Sequence, residues 1–218
     1  MRVLLIGANG RMGKEMQNYM TLKKIDFVGI DKFNTDTEKY VRFDVVVDFS
    51  SSEALEQNLN IALSHSSPIV VATTNHSKEN EKLLKTYSKN IPILYSSNLS
   101  LGMNYFIKVI KQIKKLACYE FVLEETHHKN KKDKPSGTCK TLIKNLNKQG
   151  IKPQVFCLRV GNVFGIHTLK VFGENENLTI THNVLSRQVF CEGAICACKF
   201  LLNKKKGLYS MENVIDSL

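Results

Sequence analysis

Two adjacent histidines and several lysines stand on one predicted loop between a strand and a helix. The loop spans residues 124–138, reads EETHHKNKKDKPSGT and follows the apolar run Phe121-Val122-Leu123. Histidine exchanges a proton near neutral pH. Ser136-Gly137-Thr138 opens the predicted helix, where unpaired backbone N–H groups and the positive end of the helix dipole attract a carboxylate or phosphate. Proton transfer and anion binding on one loop indicate chemistry on a small acid.

The alternative is a solvated lysine-rich loop with an ordinary capped helix behind it. For the lysines alone that alternative is the better interpretation, because charged side chains usually face water. The pair His127-His128 and the rigid approach that Pro135 gives to Ser136 favour a binding site instead.

Three glycines follow the first apolar run of the chain. Residues 2–6 have the uninterrupted apolar character of a central parallel strand, and Gly7, Gly10 and Gly13 then fit the pattern Gly-x-x-Gly-x-x-Gly. Such glycines are a weak signal alone. The strand before them, the helix after them and a second strand that ends in Asp31 supply the context of a dinucleotide-binding turn.

Asp31 marks the adenosine side of this predicted site. A carboxylate at the end of the second strand accepts hydrogen bonds from ribose hydroxyls, which favours NAD. Lys32 and Arg11 lie close enough in sequence to neutralise the 2′-phosphate of NADP. The cofactor is therefore NADH or NADPH, and the choice stays open.

Strands and helices alternate along the first half of the chain. Apolar strands are predicted at 45–50, 69–72 and 91–95, with amphipathic helices at 51–64 and 78–88. This alternation predicts an α/β fold with a Rossmann-like, doubly wound parallel sheet, whose ligands lie at the carboxyl ends of the strands. Four residues follow such ends, and contact with nicotinamide and a turn or capping role are both open for them. They are Thr73, Thr74, Ser97 and Asn98.

The pattern changes after Gly102. A long helical stretch precedes the histidine loop, and the segments 155–160, 165–172 and 178–183 alternate as strands do. We therefore predict a second, α+β domain with a mainly antiparallel sheet. The predicted domains are 1–99 with 188–218 for dinucleotide binding, and 100–187 for substrate binding and oligomerisation.

Composition narrows the class of protein. The 218 residues are 43% apolar, enough for a sizeable core, and show neither a run of membrane-spanning length nor a signal-peptide pattern. We expect a cytoplasmic protein with no membrane partner. The formal charge is +11, but no aromatic residues interleave with the lysine runs 131–132 and 204–206, so no nucleic-acid partner is predicted. The six cysteines lack metal-ligand spacing, which predicts buried reduced thiols and no metal site.

The motifs resemble those of one enzyme family over almost the whole chain. Residues 125–138, with their Glu-Thr-His-His and Pro-Ser-Gly-Thr ends, Lys131 and Asp133, resemble the signature of the 4-hydroxy-tetrahydrodipicolinate reductase family. This family, also called dihydrodipicolinate reductase, serves bacterial lysine and diaminopimelate synthesis. The turn 7–13 resembles its nucleotide loop, and 72–74 and 97–100 resemble its nicotinamide-side loops.

The resemblance implies the reduction of a cyclic dicarboxylic imine. Hydride transfer from the reduced nicotinamide to a ring carbon would be followed by protonation of the resulting enamine. The implied catalytic residues are His127 as proton donor and Lys131 as a second donor that faces a ring carboxylate. The implied substrate ligands are His128, Ser136, Gly137 and Thr138, whereas His167 and His182 are interpreted as structural.

The implied cofactor contacts lie on the three nucleotide-side loops and at the end of the second strand. They are Gly7, Ala8, Asn9, Gly10, Arg11, Met12, Asp31, Lys32, Ala72, Thr73, Thr74, Ser97, Asn98, Leu99 and Ser100. The resemblance also implies a homotetramer, and the edges of the predicted second sheet need a covering partner, which gives the same expectation of self-association.

Two alternatives stay open. One is another two-domain dehydrogenase of an amino-acid precursor, such as an aspartate or semialdehyde dehydrogenase. An acylating semialdehyde dehydrogenase would require a nucleophilic cysteine near the nicotinamide loops, and neither position 73 nor position 98 has one. The other is a non-enzymatic dinucleotide sensor or nucleic-acid-binding protein, which would not need His127 together with Lys131.

Overall fold

The chain forms two compact units. The computed structural model describes residues 1–31 and 42–218. Unit 1 comprises Met1–Ser100 and Arg187–Leu218, and unit 2 comprises Leu101–Ser186. No helix within the described ranges has both the length and the hydropathy of a segment that crosses a bilayer.

Unit 1 alternates strands with helices. Its elements are β1 Arg2–Ile6, α1 Arg11–Leu22, β2 Asp26–Ile30, β3 Val45–Asp48, α2 Leu55–Ser64, β4 Ile69–Val71, α3 Lys78–Tyr87 and β5 Pro92–Tyr95 and, after unit 2, α6 Gln188–Leu202, β10 Gly207–Tyr209 and α7 Met211–Asp216. A 3-10 turn, Ser52–Ala54, leads into α2.

The sheet of unit 1 has six parallel strands in the order β10-β5-β4-β3-β1-β2. Strands β3 and β4 are fully buried, because helices cover both faces and the strand sequences are apolar throughout. Leu55, Leu59 and Leu84 of α2 and α3 join one core with the sheet, and α6 packs on β3, β4 and β5. The predicted doubly wound sheet is confirmed.

The sixth strand, β10, was not predicted. Its three residues follow the lysine run 204–206 and are too few to show the period-two pattern by which a strand is recognised. Only the pairing of Leu208 with Ile93 of β5 identifies it.

Unit 2 packs helices on one face of a four-stranded sheet. Its elements are α4 Leu101–Gln112, a 3-10 segment Ile113–Leu116, β6 Glu120–His127, α5 Gly137–Asn147, β7 Gln154–Arg159, β8 Ile166–Phe172 and β9 Asn177–Asn183. The strand order is β7-β6-β8-β9. Phe106 and Ile110 of α4 and Leu142 of α5 form one core with Leu123 and Leu169 of the sheet.

The sheet of unit 2 is mainly antiparallel, as predicted, with one exception. Strands β6, β8 and β9 pair antiparallel, whereas β7 runs parallel to β6. A parallel neighbour needs a crossover, and α5 supplies it between β6 and β7. Alternate residues of β6 are buried, so Glu125 and His127 lie on the same covered face as Phe121 and Leu123.

Candidate active site

A pocket opens at the carboxyl end of β1 in unit 1. Its volume is about 480 Å³. Its lining residues are Ile6, Gly7, Asn9, Gly10, Ile30, Asp31, Ser50, Ser51, Ala54, Gln57, Asn58 and Ile61. Apolar walls of isoleucine suit a flat heterocycle, and Asp31 and the glycine turn supply polar groups for a ribose and a pyrophosphate. The residues of this pocket therefore fit a dinucleotide.

The glycines of the turn are required by close packing. Gly7 has φ +82°, and a Cβ there would lie 2.8 Å from the backbone of Phe49. A Cβ at Gly13 would lie 2.1 Å from the carbonyl oxygen of Gly7, so only glycine lets α1 start this near to β1. Helix α1 begins at Arg11 without a side-chain cap and without an acidic residue in its first turn, which leaves its positive end suited to phosphate.

The adenosine side of the pocket carries one carboxylate among the residues that line it. The side-chain amide of Asn9 donates a hydrogen bond to the Asp31 carboxylate, which orients it. Arg11 is exposed and Met12 is half-buried at the start of α1, whereas Ala8 is buried. Lys32 lies outside the described residues.

We predict that Asp31→Ala weakens NADH binding about tenfold, because hydrogen bonds to a charged group contribute roughly 1.5–3 kcal/mol. The same change should raise the affinity for NADPH relative to NADH, since it removes a negative charge from the region of the 2′-phosphate. Fluorescence titration of both reduced cofactors measures the two Kd values. Asp26→Ala, at the other end of β2, is the matched control, and unchanged NADH affinity in Asp31→Ala would contradict the assignment.

The other nucleotide-side loops leave the sheet at β4 and β5. The backbone amide of Ala72 donates a hydrogen bond to the carbonyl oxygen of Asp48 at 3.0 Å. Thr73 is buried, and its hydroxyl lies 2.8 Å from His76 Nε2. Leu99 and Ser100 are buried. The carbonyl of Leu99 lies so near α6 that a Cβ on Gly193 would be 1.7 Å from it.

The remaining predicted residues of these loops are more accessible. Thr74 and Ser97 are exposed, and the half-buried Asn98 accepts a hydrogen bond from the Ser100 amide through its side chain at 2.9 Å. None of the predicted positions 72–74 and 97–100 lines the pocket of the glycine turn.

Sequence reasoning missed a polar network under the pocket floor. The buried carboxylate of Asp48 accepts hydrogen bonds from the amide and the hydroxyl of Ser50 at 2.9 and 2.6 Å. Asn58 donates to the same hydroxyl at 2.8 Å. Burial raises the pKa of Asp48, and the bonds from Ser50 oppose that shift. The network fixes Ser50 at the pocket wall, and its members come from β3, the loop that follows β3, and α2.

Unit 2 gathers titratable side chains around the buried Glu125. Its Oε1 accepts hydrogen bonds from the Ser136 amide at 3.0 Å and from Arg159 Nη2 at 2.9 Å. Its Oε2 lies 3.4 Å from His127 Nδ1 and 3.7 Å from His167 Nε2. Burial alone would raise the Glu125 pKa, but the hydrogen bonds from Ser136 and Arg159 outweigh burial and lower it to about 2. Glu125 is therefore an anion at neutral pH.

Strand pairing brings the members of this cluster together. In the register of the sheet, Glu125 stands opposite His167 of β8, and His127 stands beside Arg159 of β7. The rings of His127 and His167 meet edge to face, with centroids 5.2 Å apart. His167 therefore belongs to the cluster around Glu125.

Burial sets the charge of both imidazoles. Burial lowers the pKa of His127, and Lys131 and Arg159 lower it further, while Glu125 acts in the opposite direction. Burial lowers the pKa of His167 to about 4, with the neighbouring His127 as the next cause. Both rings are neutral at pH 7 in the free protein.

The lysine loop is held in place by Arg159. The guanidinium donates to the carbonyl oxygens of Lys131 at 3.3 Å and Asp133 at 2.6 Å. Lys131 Nζ lies 2.7 Å from the Asp133 carboxylate. His128 is half-buried, and its carbonyl accepts the Lys131 amide at 3.1 Å.

The predicted anion-binding turn opens α5. Ser136 is the N-cap, with its hydroxyl accepting the Cys139 amide at 3.1 Å, while its own amide binds Glu125. Gly137 is exposed, Thr138 is half-buried, and the first turn contains no acidic residue. The amides of Gly137 and Thr138 lie in this first helical turn, where the dipole favours an anion.

The cluster also has the spacing of a metal-ligand set. One ligand atom each from Glu125, His127 and His167 lies within 4.8 Å of the others. No cysteine belongs to this ligand set among the described residues, although the side chain of Cys157 forms a hydrogen bond with Glu125. Cys139, Cys191 and Cys198 are buried thiols, Cys157 and Cys196 are half-buried, and Cys118 is exposed.

Sequence reasoning did not place three members of this cluster beside His127. Glu125 appeared only as a letter of the motif, Arg159 was not considered, and His167 was interpreted as structural. A buried glutamate on a strand face otherwise lined by Phe121 and Leu123 is the signal that could have found the first, since such a charge requires a partner.

We predict that His167 makes unit 2 sensitive to acid. Its folded pKa of about 4 lies below the ordinary value of 6.5, so the unfolded chain binds the proton first as pH falls. The free energy of unfolding should therefore decrease by about 2–3 kcal/mol between pH 6.5 and pH 4 from this residue. In His167→Gln, urea unfolding midpoints should depend less on pH over this window.

The control is Thr168→Val, one residue along β8 and half-buried on the opposite face. It should retain the acid dependence of the wild-type protein. Parallel pH dependences of wild type and His167→Gln would contradict the prediction.

Two family models match this chain. Residues 1–99 match the model of the dihydrodipicolinate reductase N-terminus, and residues 102–215 match that of the C-terminus. The 4-hydroxy-tetrahydrodipicolinate reductase of Bdellovibrio bacteriovorus is 38% identical over 98% of this chain and 96% of its own length. That of Clostridium novyi is 34% identical over 99% and 98%.

A solved structure has the same fold. The dipicolinate-bound dihydrodipicolinate reductase from Paenisporosarcina sp. TG-14 superposes with a TM-score of 0.80 at 17% identity, over 98% of each chain. Together with the two family models that span almost all of the sequence, the glycine turn of unit 1 and the histidine cluster of unit 2, these similarities establish that the chain belongs to the dihydrodipicolinate reductase family.

Proposed function

We propose that this protein reduces 4-hydroxy-tetrahydrodipicolinate to tetrahydrodipicolinate with NADH or NADPH, in lysine and diaminopimelate synthesis. The observation that carries the proposal is the cluster at the end of β6. There the buried carboxylate of Glu125 binds the start of α5, lies beside His127 and pairs with Arg159, which in turn binds the carbonyl oxygen of Lys131. Family membership supports the substrate, and the cluster supplies groups for its two tasks, anion binding and proton delivery.

The dinucleotide binds in unit 1 in this proposal. Gly7 and Gly10 let the backbone approach the pyrophosphate, the first turn of α1 attracts its charge, and Asp31 binds a ribose hydroxyl. The loops 72–74 and 97–100, at the ends of β4 and β5, hold the nicotinamide half. When bound, the reduced nicotinamide supplies the hydride.

The cyclic imine binds in unit 2 through its two carboxylates. Gly137 and Thr138 offer amides at the start of α5 to one of them, with Ser136 as the cap that shapes this turn. Lys131 faces the other as an ammonium ion, and the adjacent His128 adds a hydrogen bond. A substrate with two negative charges matches a loop whose lysines outnumber its acids.

Proton delivery completes the reaction. The ring loses its hydroxyl group together with one ring proton as water, and gains one hydride and one proton. His127 donates the proton to the enamine carbon, and Lys131 acts as a second donor. Binding of a dianion next to His127 favours its protonated form, which offsets the burial that lowers its pKa in the free protein.

The test is an absorbance assay with the cyclic imine and each reduced cofactor. We expect consumption of NADH or NADPH that depends on the imine. Dipicolinate, the compound bound in the related structure, should compete with it, and pyridine-2-carboxylate should compete more weakly because it has one carboxylate. A protein that oxidises neither cofactor, yet binds an oligonucleotide with steep salt dependence, would refute the proposal.

We further propose that the protein is a cytoplasmic homotetramer that assembles through the uncovered face of the unit 2 sheet. On this face of β7, Phe156 is 52% exposed and Leu158 is 56% exposed. Val122 of β6 and Ile166 of β8 share the face, and β7 is an edge strand. Exposed apolar side chains on a sheet edge favour association.

We predict that Phe156→Glu with Leu158→Glu shifts the protein to a smaller species, because two buried carboxylates would oppose the association. Sedimentation velocity measures the change. Lys152→Glu, a polar position just before β7, is the control for added charge. A wild-type monomer at every concentration would contradict the prediction.

A further inference from the structure

The two carboxylate oxygens of Glu125 have different neighbours. Arg159 and the Ser136 amide hold Oε1, so the carboxylate cannot rotate without losing both hydrogen bonds. Oε2 lies 3.3 Å from the same Ser136 amide and 3.4 Å from His127 Nδ1. Among the described residues, Nδ1 is buried and makes no hydrogen bond, and the Glu125 carboxylate lies beside it at ion-pair distance. The carboxylate is therefore the group that decides the orientation of the ring.

The other ring nitrogen of His127 faces away from the carboxylate. A Cβ on Gly165 would lie 3.1 Å from Nε2, so the glycine leaves space beside this atom. An Nδ1–H directed at an anion leaves Nε2 as the atom that can take and give a second proton. The geometry resembles that of a carboxylate that holds a catalytic imidazole in one tautomer.

The charges around the cluster disfavour a bound metal ion. The guanidinium of Arg159 lies 2.9 Å from Oε1 of the same carboxylate, and Lys131 is nearby on the loop that Arg159 holds. Two cations beside the ligand set repel a divalent ion. The Arg159 guanidinium already compensates the negative charge of the Glu125 carboxylate, and the imidazoles of His127 and His167 lie beside it.

We propose that Glu125 is a positioning residue for proton delivery: it fixes the ring of His127 with Nδ1–H towards Oε2 and stabilises the imidazolium whose Nε2–H protonates the substrate. This inference rests on the proposed function, because it assigns the group that makes His127 an acid in that reaction. In this proposal Arg159 and the Ser136 amide hold Glu125, and Glu125 acts on the reaction through His127.

The charged groups around His127 determine whether a substitution of Glu125 raises or lowers the pKa of the imidazole. Arg159 from β7 and Lys131 from the loop disfavour the imidazolium, and the ring of His167 from β8 contributes no negative charge. Glu125 and, more weakly, Asp133 favour it. Loss of the Glu125 charge therefore leaves burial and two cations acting against protonation.

The experiment compares Glu125→Gln with Glu124→Gln. The two glutamates are adjacent on β6, but Glu124 lies on the opposite face, where it pairs with Lys170 at 2.9 Å. In wild type, kcat/KM should fall with rising pH as the acid loses its proton. In Glu125→Gln this fall should occur about one pH unit lower or more, with at least a tenfold loss of kcat at pH 7.5. Glu124→Gln should match wild type.

A second readout does not depend on turnover. The imidazole nitrogens of His127 can be titrated by NMR in protein with labelled histidine, assigned with His127→Gln. Glu125→Gln should lower the His127 pKa and remove the preference for the Nδ1–H tautomer. A merely structural role would change neither signal in a folded variant.

Each outcome decides the proposal. An unmoved pH profile with an unchanged tautomer in Glu125→Gln overturns it. If that variant does not fold, Glu125→Asp keeps the charge at a longer distance, and a pH profile identical to that of wild type overturns the proposal, whereas a partial shift supports it. If wild type turns over no cyclic imine, the proposed function fails, and the NMR titration still tests the link between Glu125 and His127.

Discussion

Lys131→Met should lower kcat by about 10²–10⁴-fold, the usual contribution of a positioned proton donor. The ammonium group stands on the loop that follows β6 and is oriented by Asp133 at 2.7 Å. Methionine keeps most of the side-chain length and removes both the proton and the positive charge. KM for the cyclic imine should rise as well, since the same charge faces a ring carboxylate in the proposed site.

His127→Ala should cause a loss of similar size, and the double variant His127→Ala with Lys131→Ala should have no turnover above background. The double variant should lose more than either single variant, because one proton donor remains when only the other is removed. Stopped-flow absorbance of the reduced cofactor measures the rates, and fluorescence titration confirms that unit 1 still binds it.

Lys132→Met is the matched control for charge. This neighbouring lysine is exposed, and the structure gives it no partner in the cluster, so its loss should change kcat less than twofold. If Lys131→Met and the double variant stay within threefold of wild type, the assignment of the histidine loop as the proton source is wrong.

Local patterns predicted the parts of this molecule that depend on neighbours in sequence. The turn at Gly7 and Gly13 was recognisable because neighbouring backbone, that of Phe49 for Gly7 and that of Gly7 itself for Gly13, excludes a Cβ at these positions. The capped start of α5 was recognisable because the cap residue and the helix are adjacent in sequence. These features need no knowledge of which strands pair.

The contacts between residues far apart in sequence depend on the register of strand pairing. Glu125 meets Arg159 across 34 positions, and Ser136 approaches His167 across 31. A shift of one residue in the pairing of β6 with β8 would have placed His167 on the exposed face, and sequence periodicity does not fix that shift. The parallel direction of β7 was hidden for the same reason, since strand periodicity is equal in both directions. Long-range partners of a buried charge therefore require the fold.

Arg159→Met should destabilise unit 2 by about 3–5 kcal/mol, the usual effect of leaving a buried ion without its partner. Glu125 is 0% exposed and would keep only the Ser136 amide among its strong donors. The change also removes the bonds that hold the carbonyls of Lys131 and Asp133. Urea unfolding at pH 7 measures the loss, and catalytic activity should fall with it because the lysine loop is released.

The double variant Glu125→Gln with Arg159→Met separates the ion pair from the packing of the arginine. A neutral amide tolerates burial better than an unpaired carboxylate, so the double variant should be more stable than Arg159→Met alone. The deficit of Arg159→Met should also shrink on acidification. Loss of the guanidinium raises the Glu125 pKa from about 2, and the carboxyl is then neutral at a pH where the wild-type group is still charged.

Lys170→Met supplies the comparison on the other face of the same sheet. It removes the partner of Glu124 from a half-exposed ion pair of the same 2.9 Å length. An exposed pair contributes about 0–1 kcal/mol, because water replaces the lost partner. Equal effects of Lys170→Met and Arg159→Met would mean that the carboxylate of Glu125 is hydrated, and that the buried cluster does not depend on its guanidinium. A large difference instead assigns the stability of the histidine site to one ion pair between β6 and β7.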